Sequence, residues 1–340
     1  MAAPGSRSAA PAAVPVASTI ASRSATRPWL GVLAVLAAAF VAGVYVLGNT
    51  SQLYFWTTMA ETILFAMAVN LLFGQTGMLS FGQAAYFGIG AYAVGLLAPH
   101  QPNPLAMLAL SALAGGAASV IVGLVTLRTT ELVFAMLTLA FGMALYSITF
   151  HVQAVGGENG IVGIIPPNLF WIVLGDPHAL WVFTAAVVAA GVAFLWMVAN
   201  SPFGRTLKMI RDDPARAENL GIPVFRYRLA AFTMSGAMCG LAGALYAYVQ
   251  DVASPDAFFW TTSGTPVIVS LLGGAGFFFG PAVGSILYVF ATDTLSQATP
   301  AWIFWVGIGF LVVVLAAPDG ILGGLHRVWR RYRRRAGAAT

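Results

Sequence analysis

An all-α, polytopic transmembrane helical bundle of about ten spans, with broken or re-entrant segments, is the fold class this sequence predicts. Three observations carry that prediction. Of the 340 residues, 59% are hydrophobic and only 8% charged, with a mean hydropathy of +0.85, whereas soluble domains hold roughly 45–50% apolar residues. Apolar runs near the ~20 residues that cross a bilayer as a helix recur along the chain, and no alternating pattern of a membrane barrel appears. Glycine supplies 37 residues, which suits membrane helices that approach closely through small side chains.

Residues 1–28 are rich in Ala, Ser and Pro and carry Arg7, Arg23 and Arg27 without an acid. They hold too few large apolar groups to fold alone, and read as a disordered cytoplasmic tail. The apolar run 29–47 is longer than the ~7–15 residues of a signal core and lacks a small-residue cleavage site, so it reads as an uncleaved first span. It opens a transmembrane domain over 29–325. Further runs cover roughly residues 54–73, 84–98, 105–127, 132–150, 178–199, 229–249, 264–276, 278–296 and 301–317.

Orientation follows from arginine and lysine near span ends. The N-terminal tail, the loop 200–228 with six basic residues, and the basic tail 326–340 (Arg327, Arg330, Arg331, Arg333, Arg334, Arg335) are all assigned to the cytoplasm. Both termini inside requires an even number of crossings. That closes only if the stretch 264–296, interrupted at "GGAGFFFGP" (273–281), crosses twice as two short helices. The loops 151–177 and 250–263, with acids and no Lys or Arg, then face outward.

The stretch "GQTGMLSFGQAAYFGIGAY" (74–92) is the least helix-forming part of the apolar region. Irregular backbone at membrane depth is tolerated only where it is buried in protein or lines a polar cavity. Gln75, Thr76, Ser80 and Gln83 can bond the freed backbone groups there, and Gly77 permits a left-handed turn. "GGAGFFFGP", with Gly274 and Gly276, is its expected counterpart in the second half, and paired breaks of this kind point to a translocation path. Glu61 and Asn70 lie inside the second apolar run. A charge facing lipid there costs at least ~2.5–3.5 kcal/mol, so both are expected to face protein or water. Candidate path residues are therefore Glu61, Asn70, Gln75, Gly77, Ser80, Gln83, Gly274 and Gly276. The single cysteine, Cys239, reads as a small core residue; the four histidines lack ligand spacing, and no metal site, cofactor or catalytic group is expected. Lys208 is the only lysine and no G-x-x-x-x-G-K-[ST] loop exists, so the chain is not itself a P-loop ATPase.

Within the basic loop, Asp213 before Pro214 reads as a helix N-cap with proline at the first position, and Gly221 as the stop. The helix between them has about seven residues. A helix that short is unstable alone, so either its own membrane domain or a partner surface must hold it.

"ARAENLG" (215–221) resembles the E-A-A-x-x-x-G coupling motif of ABC importer permeases, with Ala215 where the acid stands and Arg216 at the second position. "GQTGMLSFGQAAYFGIGAY", "VGGENGIVGIIPP" (155–167), "FTMSGAMCGLAGALYA" (232–247) and "LLGGAGFFFGPAVG" (271–284) resemble the branched-chain amino acid permease family of the LivM type, in order from about 54 to 324. The resemblance implies the permease subunit of an importer in a bacterial inner membrane. It implies as partners a second homologous permease, cytoplasmic ABC ATPases and an extracytoplasmic solute-binding protein; no nucleic acid is expected. It also implies that Asp213, Pro214, Arg216, Ala217 and Gly221 form an ATPase-coupling element, with Ala217 where a partner backbone approaches closely. The rival readings are an ion-coupled secondary transporter of small polar solutes, with Glu61 as its one strong coupling group, and an intramembrane enzyme, for which no paired groups appear.

Overall fold

The computed structural model describes residues 41–46, 48–98, 103–168, 173–316 and 320–324. The chain divides into two units, Met1–Val46 and Leu47–Thr340. In the first, residues 41–46 are helical. The predicted tail 1–28, most of the span 29–47 and the basic tail 326–340 lie outside the described residues.

In the second unit the helices are α1 (Thr50–Thr76), α2 (Gln83–Leu97), α3 (Pro104–Thr126), α4 (Glu131–His151), α5 (Pro177–Asn200), α6 (Pro202–Asp212), α7 (Pro214–Asn219), α8 (Val224–Gln250), α9 (Trp260–Gly273), α10 (Gly280–Ala298) and α11 (Trp302–Ala316). Every apolar run predicted between 54 and 317 is a helix, and the broken stretch is two, α9 and α10. Among the described residues five helices, α1, α3, α4, α5 and α8, are long and apolar enough to cross a membrane. The 14 or 15 residues of α2, α9 and α11 rise only about 21–23 Å, short of a ~30 Å hydrocarbon core.

The bundle is built around α1 and α8. Of α1's apolar window 78% is buried, against 22–39% for α3, α4 and α5, whose exposed Leu113, Ile121, Leu132, Met136 and Met197 form an apolar exterior. α8 packs on α1, α2 and α3, and its Gly236 and Gly240 lie directly against Ser119, Ser111 and Gly115 of α3. Hydroxyls bond across these close seams. Ser235 donates to the Ala68 carbonyl at 2.7 Å and Ser111 to that of Gly90 at 3.0 Å, as expected where helices must associate without help from water.

Midway along α8, Cys239 Sγ donates to Gln83 Oε1 at 3.3 Å, and Ser235 Oγ lies 3.3 Å from the same oxygen. α2 therefore begins at mid-depth, not at the end of the bundle where α1 finishes. Gly77 stops α1 with φ 75°, and residues 77–82 run back into the interior as irregular chain with Met78, Ser80 and Gly82 buried. Gly82, the N-cap of α2, has no side chain to offer the first amides. Ser263 of α9 supplies the acceptor instead, 2.7 Å from the Ala84 nitrogen. An irregular segment is thus present between α1 and α2, with Thr76 Oγ1 and Ser80 Oγ accepting from the Met78 and Gly82 amides at 3.4 and 3.3 Å.

The 27 residues of α8 span about 40 Å, and they separate two dissimilar ends. At the far end β1 (Ile161–Val162) and β2 (Val252–Ala253) pair antiparallel, Ile161 opposite Ala253, joining the loops after α4 and α8 into one cap. At the near end lie α6 and α7. The α6–α7 end carries the six basic residues of 200–228 and the cap loops carry no Lys or Arg, the asymmetry expected if the first faces the cytoplasm and the second the outside. In a Cys239→Ser background, a cysteine at exposed Asn159 is expected to react with an impermeant thiol reagent on intact cells, and one at exposed Glu218 to resist until the membrane is opened. Reversed labelling would invert the topology.

Candidate functional site

Three polar features converge on α1. In the cap half of the bundle a cavity of about 220 Å³ is lined by Glu61, Thr62 and Phe65 of α1, Phe87 of α2, Tyr246 of α8, Asp256 and Ala257 of the 3-10 turn at Pro255–Phe258, and Thr262 and Thr265 of α9. Glu61 is 5% exposed, and its Oε2 has no hydrogen-bond partner among the described residues. Three rings form one wall: Phe65 and Phe87 have centroids 4.5 Å apart, Phe87 and Tyr246 5.3 Å. Asp256 stands exposed at the margin, its backbone fixed by Ser254 Oγ at 3.2 Å and by Thr262 Oγ1 at 2.9 Å.

At the α6–α7 end, Asn70 and Gln75 border a second, much smaller gap with Phe278 and Leu195. Both side-chain oxygens lack a partner among the described residues. Here the end of α1 meets the α9–α10 break: a β-carbon on Gly74 would lie 2.5 Å from the Ala275 carbonyl oxygen. Arg211, at the end of α6, donates to the Gly74 carbonyl, one of the orphan acceptors of α1's last turn, where a cation also suits the helix dipole.

The candidate path residues thus do not form one continuous lining. At about 100° per residue, Glu61 and Asn70 point from opposite faces of α1. Gln83 is tied into the α2–α8 seam, Ser80 Oγ accepts from the Gly82 amide at 3.3 Å within the irregular segment, Gly274 is buried at φ 110°, and Gly276 is exposed with open space around it. The physical reason is the mid-depth start of α2, which places residues close in sequence at different depths.

In the basic loop, α6 buries Gly204, Leu207 and Ile210 on one face, and Phe203 stacks on Tyr227 at 5.4 Å, joining the starts of α6 and α8. α7 has six residues, one fewer than predicted. Asp213 caps it, accepting from the Arg216 amide at 3.0 Å, with Pro214 at the first position. Gly221, at φ 79°, ends it: the Ile222 amide reaches back to the Ala217 carbonyl at 3.1 Å and the Gly221 amide to that of Glu218 at 2.9 Å. Both bonds of a Schellman stop are present, with Ile222 packed near Ala217 as that motif prefers. Arg216 pairs with Asp213 at 3.4 Å on the surface. Ala217 corrects the sequence expectation. It is fully buried against Ile210 and Val224 of its own chain, so no partner backbone can approach it, and the outward face is Ala215, Arg216, Glu218 and Leu220 instead.

Residues 51–317 match the family model described as branched-chain amino acid transport system / permease component. The chain belongs to this family. Among relatives of the permease, the high-affinity branched-chain amino acid transport system permease protein LivM of Salmonella typhimurium is 27% identical over 262 residues, 70% of this chain and 62% of LivM. The fructose import permease protein FrcC of Rhizobium meliloti is 33% identical over 151 residues, 42% of this chain and 41% of FrcC. The autoinducer 2 import system permease protein LsrC of Klebsiella pneumoniae is 30% identical over 156 residues, 43% and 39%. The permease chain therefore spans about three-fifths of the LivM length at most. No solved structure matches it.

Arg211, Asp256, Ser263 and the wall Phe65, Phe87 and Tyr246 went unread in the sequence. Aromatic residues inside apolar runs look like core, and Arg211 is one more charge in a basic loop.

Proposed function

We propose that this permease is the membrane-spanning subunit of an ABC-type importer, moving branched-chain or related amino acids across a bacterial inner membrane with energy from separate ATPase subunits. It works beside a second homologous permease, receives solute from an extracytoplasmic binding protein at the β1–β2 cap, and keeps both termini cytoplasmic. The observation that carries this reading is α7: a six-residue helix, fully capped and held from beneath by Ala217, that presents Arg216 and Leu220 outward at the end opposite the cap. Such a rigid, protruding knob suits transmission of a push. LivM, aligned over 70% of this chain against 42% for FrcC, supports amino acids over sugars as cargo.

Leu220 is 66% exposed, so Leu220→Asp should leave the loop folded while placing a charge in the docking contact. ATPase recovered with the affinity-purified permease is expected to fall by about tenfold or more, as for loss of an interface hot spot, and vesicle uptake with it. Undiminished ATPase recovery and uptake would withdraw α7 as the coupling element.

A further inference from the structure

The Glu61 cavity has chemistry that the importer reading alone does not specify. Glu61 is buried inside the bundle and its Oε2 has no hydrogen-bond partner among the described residues; such a group is costly unless something completes it. None of the protein groups around the cavity supplies a cation: its lining is Thr62, Phe65, Phe87, Tyr246, Asp256, Ala257, Thr262 and Thr265. What the lining does supply is a second carboxylate at the margin and three neighbouring aromatic rings, Phe87 tilted 32° to Phe65 and 54° to Tyr246. Aromatic faces attract cations, more strongly when the cation is desolvated. Hydroxyls of Thr62, Thr262 and Thr265 add neutral donors and acceptors.

We infer that this cavity is a binding station for a small solute bearing a primary ammonium group, with Glu61 as the buried counter-charge and Phe65, Phe87 and Tyr246 as the wall that holds the desolvated cation. Asp256 at the exposed margin draws the cation in, and Glu61 receives it at depth. The volume, about 220 Å³, equals roughly seven waters at their ~30 Å³ share of the liquid, which admits a free amino acid and not an oligosaccharide. A neutral sugar of similar size brings no charge to offset the carboxyl group. The inference rests on the importer reading and deepens it, since it assigns discrimination for an ammonium group to the membrane subunit itself.

The test uses the purified importer complex in detergent. Thermal unfolding is followed with L-leucine, isopentylamine (its ammonium and side chain without the carboxylate), 4-methylpentanoate (its carboxylate without the ammonium) and D-fructose. Leucine and isopentylamine are expected to raise the midpoint in a saturable way, and the other two to leave it unchanged. Glu61→Gln keeps the shape and removes the charge. It should weaken the amine response by roughly 100-fold, as when one partner of a buried pair is lost, and Phe87→Leu should weaken it less. Equal responses to 4-methylpentanoate or fructose, a flat response to both amines, or an undiminished response in Glu61→Gln would overturn the inference. If Glu61→Gln fails to assemble, the four-ligand comparison on the wild-type complex still decides. ATPase recovery with the same complex separates the two levels: an intact complex without amine selectivity refutes the station alone, and absence of any ATPase refutes the importer reading.

Discussion

Ala217→Trp is expected to abolish transport by dismantling the coupling loop from within. Ala217 is fully buried against Ile210 and Val224, with Ile222 and Tyr227 packed around it. An indole there has no space. Overpacking a filled site costs about 1–3 kcal/mol, and a six-residue helix has few bonds of its own to resist it, since nucleation outweighs what so short a segment gains. The Schellman stop depends on the same residue: the Ala217 carbonyl accepts from Ile222, so tilting the helix to admit the ring opens its C-terminal bonds as well. The bundle should survive, because α7 touches only the start of α8 at Val224 and Tyr227, whereas the seams that hold α8 in the bundle lie farther along it, at Ser235, Gly236 and Gly240. The predicted signature is a full-length, membrane-inserted protein with normal thermal unfolding, faster proteolysis confined to residues 201–223, no recovered ATPase and no uptake. A Trp variant with wild-type loop protection and uptake would show that Ala217 does not hold this helix. Ala217→Gly serves as control: it creates no clash, and should cost only the ~1 kcal/mol propensity of glycine in a helix.

The comparison with Leu220→Asp shows what the sequence disclosed and what it withheld. Asp213, Pro214 and Gly221 were legible as cap, first-turn proline and stop because each acts on its own backbone within three residues. Which side of α7 faces inward was not legible, because six residues make less than two turns and give no period to read. The apolar runs were legible for the opposite reason: a membrane demands some twenty apolar residues in a row, and α1, α3, α4, α5 and α8 supply them. The depth at which α2 starts depends on Ser235, Cys239 and Ser263, all more than 150 positions beyond it. No local pattern records such a contact. Glu61 announced itself as an ionisable group in an apolar run, but its aromatic wall is assembled from three helices and could be found only once they were packed.

Arg211→Met is expected to separate ATP hydrolysis from transport. Arg211 is the last basic residue of α6 and donates to the Gly74 carbonyl in the last turn of α1. Its aliphatic stem lies under Gly77, whose added β-carbon would sit 3.1 Å from Arg211 Cγ. α6 leads straight into Asp213, the cap of α7, so any displacement of α7 reaches the end of α1 through this side chain. There it arrives where Gly74, in the last turn of α1, meets Ala275 of the α9–α10 break. Methionine keeps an apolar stem beneath Gly77 and removes every donor. The lost helix-terminus interaction is worth only about 0.3–1 kcal/mol, too little to unfold the bundle, so ATPase recovery and hydrolysis should stay close to wild type. Uptake per ATP hydrolysed should fall by roughly 2–5-fold, the equivalent of that interaction energy, since a contact transmits no more coupling than it is worth. Arg211→Lys should recover much of it, since an ammonium on a similar stem can still donate to Gly74. Reconstituted complexes measured for hydrolysis and uptake together decide the matter. Wild-type stoichiometry in Arg211→Met would place the transmission elsewhere, along the Phe203–Tyr227 stack into α8; loss of hydrolysis and uptake in parallel would make Arg211 a support of the loop and not its link to α1.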